Sequence, residues 1–189
     1  MPRECMSPRE RWLAVLKRQK PDRVPMDIWA TGETFDRLMK HLGCTMQEML
    51  KRLHIDMPLT LDPGYAGPAL QPGKDIWGIE YRDVDYGAGV YREAVTNPLA
   101  RFQSPAEIES GYTWPSADWF DFSVLRDQLR GQEHRIVRGG GSEPFLIYKS
   151  LRGEQQAFMD LLANPDIVHY CLSKMFDFCY EFTRRIFET

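Results

Sequence analysis

The sequence predicts an α/β fold, and within that class the first half of a (β/α)8 TIM barrel with a β-hairpin insertion. Three observations carry the expectation. Helix starts are marked by serine or threonine caps, short β-rich runs fall between those helices, and an apolar last helix runs to Thr189 with no cap or tail. Core strands separated by helices imply βα units and a parallel sheet. Only three or four such strands can be counted, whereas a closed barrel takes about 250 residues. The chain therefore reads as a small open α/β domain or as a barrel halted midway. The second reading is favoured, with 1–189 as the N-terminal part of one barrel domain whose C-terminal half is absent.

The elements follow in order. Within the N-terminal stretch 1–20, Ser7-Pro8-Arg9-Glu10 is a capping box with proline in the first turn, and Trp12, Leu13, Val15 and Leu16 give that helix an apolar face. A β-rich run at 24–29 follows the turn Lys20-Pro21-Asp22. Thr45-Met46-Gln47-Glu48 repeats the capping logic, and a second strand is expected at 55–61, closed by Asp62-Pro63-Gly64. Runs at 76–84 and 90–95 flank Asp85-Tyr86-Gly87-Ala88-Gly89, so 75–95 reads as a hairpin insertion. Ser104-Pro105-Ala106-Glu107 starts another helix. A strand at 135–138 ends at Gly139-Gly140-Gly141, and 145–148 is a short strand or the start of a helix. A helix spans about 154–162. Asn164 is the expected cap of the last one, where Val168, Cys171, Leu172, Met175, Cys179, Phe182 and Ile186 form a core stripe.

Composition excludes several functions. With 24 Lys+Arg against 27 Asp+Glu and a formal net charge of −3, the chain lacks the basic footprint of a nucleic-acid binder. No apolar run approaches the roughly 20 residues of a membrane span, and the charged N-terminus lacks the core of a signal peptide, so a cytoplasmic protein is expected. Cys5, Cys44, Cys171 and Cys179 form no C-x-x-C pair, and His41, His54, His134 and His169 no H-E-x-x-H spacing. No metal site is assigned. His41 and Cys44 sharing one helix face is the nearest approach to one.

Four segments together resemble the uroporphyrinogen decarboxylase (URO-D) superfamily, which also contains cobalamin-linked methyltransferases. They are Ser7-Pro8-Arg9-Glu10-Arg11 leading to Pro21-Asp22-Arg23-Val24-Pro25; Asp75-Ile76-Trp77-Gly78; Trp114-Pro115-Ser116-Ala117-Asp118-Trp119-Phe120-Asp121; and Leu151-Arg152-Gly153 through Asp160-Leu161-Leu162 to Asn164-Pro165-Asp166. The resemblance implies the N-terminal half of a barrel, usually homodimeric, with its site at the C-terminal strand ends. True decarboxylases look like Met-Arg-Gln-Ala-Gly-Arg after the first strand. This chain has Ile28-Trp29-Ala30-Thr31-Gly32-Glu33, with no arginine and an added acid. An octacarboxylate would meet Asp27 and Glu33 where it needs cations, so the methyltransferase branch is closer. Those relatives hold zinc through His-x-Cys and a later cysteine in the second half of the barrel, outside these residues. For a full-length protein the resemblance thus implies zinc, a corrinoid and a corrinoid-protein partner, with methyl transfer between a small methylated substrate or a corrinoid and a thiol. The present chain is expected to be inactive alone. Uroporphyrinogen decarboxylation in porphyrin biosynthesis and a non-catalytic half-barrel assembly partner are the alternatives.

On the barrel reading, side chains just past strand ends are the candidates. Asp27, Trp29, Thr31 and Glu33 follow the first strand and would bind substrate, although Asp27 also suits a structural ion pair with Arg23 or a later lysine. Gly140 and Gly141 offer bare backbone N–H groups to an anion, with Glu143 beside them. Asp62 is a candidate base, aligned by the resemblance with the decarboxylase aspartate, and also fits ordinary Asp-Pro-Gly turn chemistry. Tyr148 and Lys149 fall where the family carries a catalytic tyrosine.

Overall fold

In a computed structural model, the chain is described for residues 4–87, 89–141 and 143–189. Ala88 of the expected hairpin turn and Ser142 beside the glycine run lie outside the described residues. The order is α1 (Pro8–Leu16), α2 (Gly32–Leu42), α3 (Met46–Arg52), β1 (Leu59–Thr60), β2 (Gly64–Tyr65), β3 (Tyr81–Asp85), β4 (Val90–Ala94), α4 (Pro105–Gly111), a 3-10 turn (Ala117–Trp119), β5 (Phe120–Asp121), α5 (Leu125–Leu129), β6 (Val137–Arg138), α6 (Pro144–Arg152), α7 (Glu154–Ala163) and α8 (Pro165–Phe187). The fold is mixed α/β. Helix takes 46% and strand 11% of the described residues, so helices carry most of the packing. The strands form three two-stranded sheets, β1–β6, β2–β5 and β3–β4. The chain divides into two compact units, 1–62 with 125–139 and 63–124 with 140–189.

The first unit is tied by ions as much as by apolar contact. α1 and α3 start with reciprocal capping boxes: Ser7 and Glu10 satisfy each other's backbone N–H, as do Thr45 and Glu48. β1 and β6 pair in parallel, Leu59 N–H donating to the Ile136 carbonyl at 2.8 Å and Leu61 N–H to that of Arg138 at 3.0 Å. In the same unit the Arg11 guanidinium, 1% exposed, donates to Asp22 at 2.7 Å and to Asp56 at 2.5 Å. Arg23 reaches Asp56 at 2.6 Å and Glu4 at 2.7 Å, and His54 meets Glu4 at 2.7 Å. The Arg11 guanidinium, with backbone N–H groups of Met6, Cys5 and Arg23, holds the Asp22 carboxyl well below the usual carboxylate range.

The second unit is built around an apolar cluster that includes Trp77, Ile79, Leu99, Ile108, Tyr148, Leu151, Val168, Cys171 and Met175. α6, α7 and α8 pack against one another. At their junction Arg152 Nε donates to Asp160 at 2.6 Å, and the same guanidinium caps the Leu99 and Phe102 carbonyls at 2.7 and 2.6 Å. Burial alone would raise the Asp160 carboxyl. The bonds from Arg152, Asn164, Gln156 and Tyr148 outweigh it and bring the carboxyl below its ordinary value. The hairpin β3–β4 pairs Tyr81 with Ala94 through to Asp85 with Val90.

Several expectations are corrected. The run at 24–29 forms no regular strand because its backbone donors are spent elsewhere: Pro25 has none, Met26 N–H goes to the Asp56 carboxylate, and Ile28 N–H goes to Asp27 Oδ1. It still accepts one bond, Asp56 N–H to the Met26 carbonyl at 2.6 Å. The strand at 55–61 shrinks to β1, with Pro58 unable to donate just before it. The strand at 135–138 shrinks to β6. At 76–84 the first residues are a turn, since Asp75 Oδ1 collects the N–H groups of Trp77 and Ile79, and pairing begins at Tyr81. Residues 145–148 are helical, with Pro144 opening α6. Asn164 does not cap α8 with its side chain, which donates to Asp160 instead. His41 and Cys44 do not share a helix face, because Gly43, at φ 58°, ends α2 between them.

Candidate functional site

Parallel strands in α/β proteins present their carboxyl ends to ligands. In the first unit the carboxyl ends of β1 and β6 bring three side chains together. Arg138, the last residue of β6, donates from Nη1 to Asp27 Oδ2 at 3.0 Å and from Nη2 to Thr60 Oγ1 at 3.1 Å. The pair stays open to solvent, with the Arg138 and Asp27 side chains 54% and 30% exposed. Asp62 lies two residues beyond the end of β1. Its backbone is clamped on both faces by Gln128, whose amide donates to the Asp62 carbonyl at 2.7 Å and accepts from its N–H at 3.1 Å. Among the described residues, nothing binds the exposed Asp62 carboxylate itself. Trp29, two residues beyond Asp27, is 98% exposed. The arrangement offers one guanidinium, one carboxylate and a hydroxyl to a small ligand.

The remaining candidates fall elsewhere. Thr31 precedes α2 without capping it, its hydroxyl lying 3.2 Å from that of Thr34, and Glu33 sits in the first turn of the helix. Gly140 and Gly141, in the second unit, have φ of 66° and 94°. A Cβ at Gly140 would stand 2.2 Å from Thr183 Oγ1, so this glycine is required by close packing against α8, whereas Gly141 faces open space. The exposed Glu143 precedes α6, its carbonyl accepting from Ile147 N–H. Tyr148 is fully buried and its hydroxyl donates to Asp160 at 2.9 Å. Burial, reinforced by that carboxylate, pushes the phenol far above its ordinary pKa. Lys149, half-buried, reaches Glu154 at 3.4 Å. Nearby Cys171 is buried, and burial pushes its thiol up to about 12, so it is no nucleophile at neutral pH.

Arg138 and Thr60 were missed as site residues. A cation closing a strand immediately before three glycines was the available signal for Arg138. Thr60 offered none, because only the parallel pairing places it beside β6. Among the described residues, no group of three or more His, Cys, Asp or Glu is arranged to hold a metal ion, and no helix is long and apolar enough to cross a membrane. Compared with known proteins, the chain matches no family model, no curated protein and no solved structure.

Proposed function

We propose that this chain is the substrate-holding part of a URO-D-superfamily protein on the methyltransferase side, binding a small methylated donor whose methyl group passes to a thiol. One observation carries the reading: the Asp27–Arg138 pair, open to solvent at the carboxyl ends of two parallel strands. The sign of the charge supports a small donor over a porphyrinogen. The guanidinium there is already paired with Asp27, so an octacarboxylate would find no free cation to meet it. In this division of labour Asp27 orients Arg138, Arg138 and Thr60 hold a polar group of the donor, and Trp29 lies against its apolar side. Among the described residues, no group of three or more His, Cys, Asp or Glu is arranged to hold zinc.

The test is direct binding, since no turnover is expected of this chain alone. Titration with methylcobalamin, with small methylated amines and ethers, and with uroporphyrin, read by tryptophan fluorescence with Trp29→Phe as control, separates the readings. Saturable binding of a methyl donor, weakened about tenfold or more by Arg138→Ala, is expected. Tighter binding of uroporphyrin that Arg138→Ala abolishes would overturn the proposal in favour of decarboxylation. Binding of none of these probes would leave the assembly-partner reading.

A further inference from the structure

α2 differs from every other described helix in burying no residue at all. Thr34, Arg37, Leu38 and His41 occupy successive i, i+3, i+4 and i+7 positions, one stripe of the helix, with Lys40 at its side. These five residues, all on one helix and exposed except for the half-buried Leu38, line an open surface groove of about 570 Å³. Elsewhere in the unit Arg11, Arg23 and Arg138 are matched to carboxylates, whereas Arg9, Lys17 and Lys51 form no ion pair with any described residue. Arg37, Lys40 and His41 form no ion pair with any described residue, even though Asp36 stands four positions before Lys40 at the spacing that favours one.

We propose that this groove binds a small organic phosphate, independently of the strand-end site. A phosphate monoester has three charged oxygens. The planar Arg37 fork can donate to two of them in parallel, and Lys40 supplies a second charge. The Thr34 hydroxyl and the His41 ring add donors at the two ends of the stripe. Leu38, between them, meets the apolar portion of the ester, which makes an organic phosphate a better ligand than the bare ion.

Calorimetric titration of the full chain with phenyl phosphate and with inorganic phosphate tests this, alongside co-sedimentation with phosphatidylcholine vesicles containing phosphatidic acid. Expected are saturable phenyl phosphate binding, tighter than that of inorganic phosphate, and a loss of about tenfold or more in Arg37→Ala/Lys40→Ala. Both side chains are exposed and alanine favours helix, so that variant should keep the wild-type circular dichroism and urea midpoint. Arg37→Lys, which keeps the charge and loses the fork, should show an intermediate loss. Absence of phenyl phosphate binding, or binding unchanged in the double variant, overturns the proposal. Vesicle binding without binding of the free ester overturns it in favour of a lipid surface.

Discussion

Both units bury an arginine to 1% exposure against aspartate, yet the two knots stand in opposite surroundings. Arg152 and Asp160 are enclosed by an extended apolar cluster and sit where three helices meet. Arg11 and its partners lie where the chain has little regular structure, joining 4–6, 22–23 and 56, with few buried apolar residues to help: Ala14, Met49, Ile55, Leu61 and Leu125. Composition follows the same line. The first unit carries fifteen Lys+Arg against eleven Asp+Glu, the second nine against sixteen. In the second unit the ion pair fixes how helices dock on a core that apolar burial already supplies. In the first, the ion network takes the place of part of a core.

The largest effect is expected from Arg152→Ala. It strands the Asp160 charge inside the helical junction and uncaps two buried carbonyls, which costs about 3–5 kcal/mol. Urea denaturation followed by tryptophan fluorescence should show the midpoint fall steeply or the second unit fail to fold. Replacing both partners with apolar residues, as in Arg152→Met/Asp160→Leu, should recover much of that loss, because the surrounding cluster can close over them. Were the single substitution to cost under about 1 kcal/mol, the contrast between the two knots would be lost.

Acid should separate the units. Asp22 and Glu4 in the first and Asp160 in the second are all held below their ordinary values by arginine contacts. Groups depressed in this way contribute stability that is present above the unfolded carboxylate range, about pH 4, and is lost as pH falls through their folded values. The first unit has less apolar burial to fall back on. Amide exchange measured from pH 7 down to pH 3 should therefore show Leu59 and Leu61 losing protection before the centre of α8. The reverse order would break the comparison.

A smaller effect, confined to the second unit, is expected at the glycine run. Gly140→Ala meets both a positive φ and the Thr183 side chain, and should cost about 1–3 kcal/mol by thermal melting. Thr183→Ala would relieve only part of this, because the Thr183 Cβ itself would stand 2.8 Å away. Gly141→Ala has space and carries the backbone strain alone, about 1 kcal/mol.

What was legible in the sequence is what is local. The Ser7–Glu10 and Thr45–Glu48 boxes need only three residues' separation, and both form as read. At Ser104 the serine accepts from the backbone, but Glu107 turns to the Gln103 N–H, a competitor one residue further upstream. Strand lengths were overestimated wherever a carboxylate took the backbone N–H groups, as Asp56 does at Met26 and Asp75 at Trp77 and Ile79. Both knots are set by tertiary contacts across 45 positions for Arg11–Asp56 and by helix docking for Arg152–Asp160, so spacing did not reveal them. The hairpin β3–β4 was legible because alternation and a glycine-rich turn are both local signals.

The smallest stability change should come from the pair that matters most to the proposed function. Asp27 and Arg138 are joined at 3.0 Å across 111 positions, yet both remain in contact with water. Solvent screens such a pair, so Asp27→Asn or Arg138→Ala should shift stability by about 0–1 kcal/mol, well below either buried knot. A residue kept for folding would show the opposite balance, a large stability loss with ligand binding following the folded fraction. Measuring the urea midpoint and the affinity on the same variants therefore assigns the pair. Near-unchanged stability with affinity reduced about tenfold places Asp27 and Arg138 at the ligand, whereas a loss approaching that of Arg152→Ala would make the strand-end pair a third structural knot.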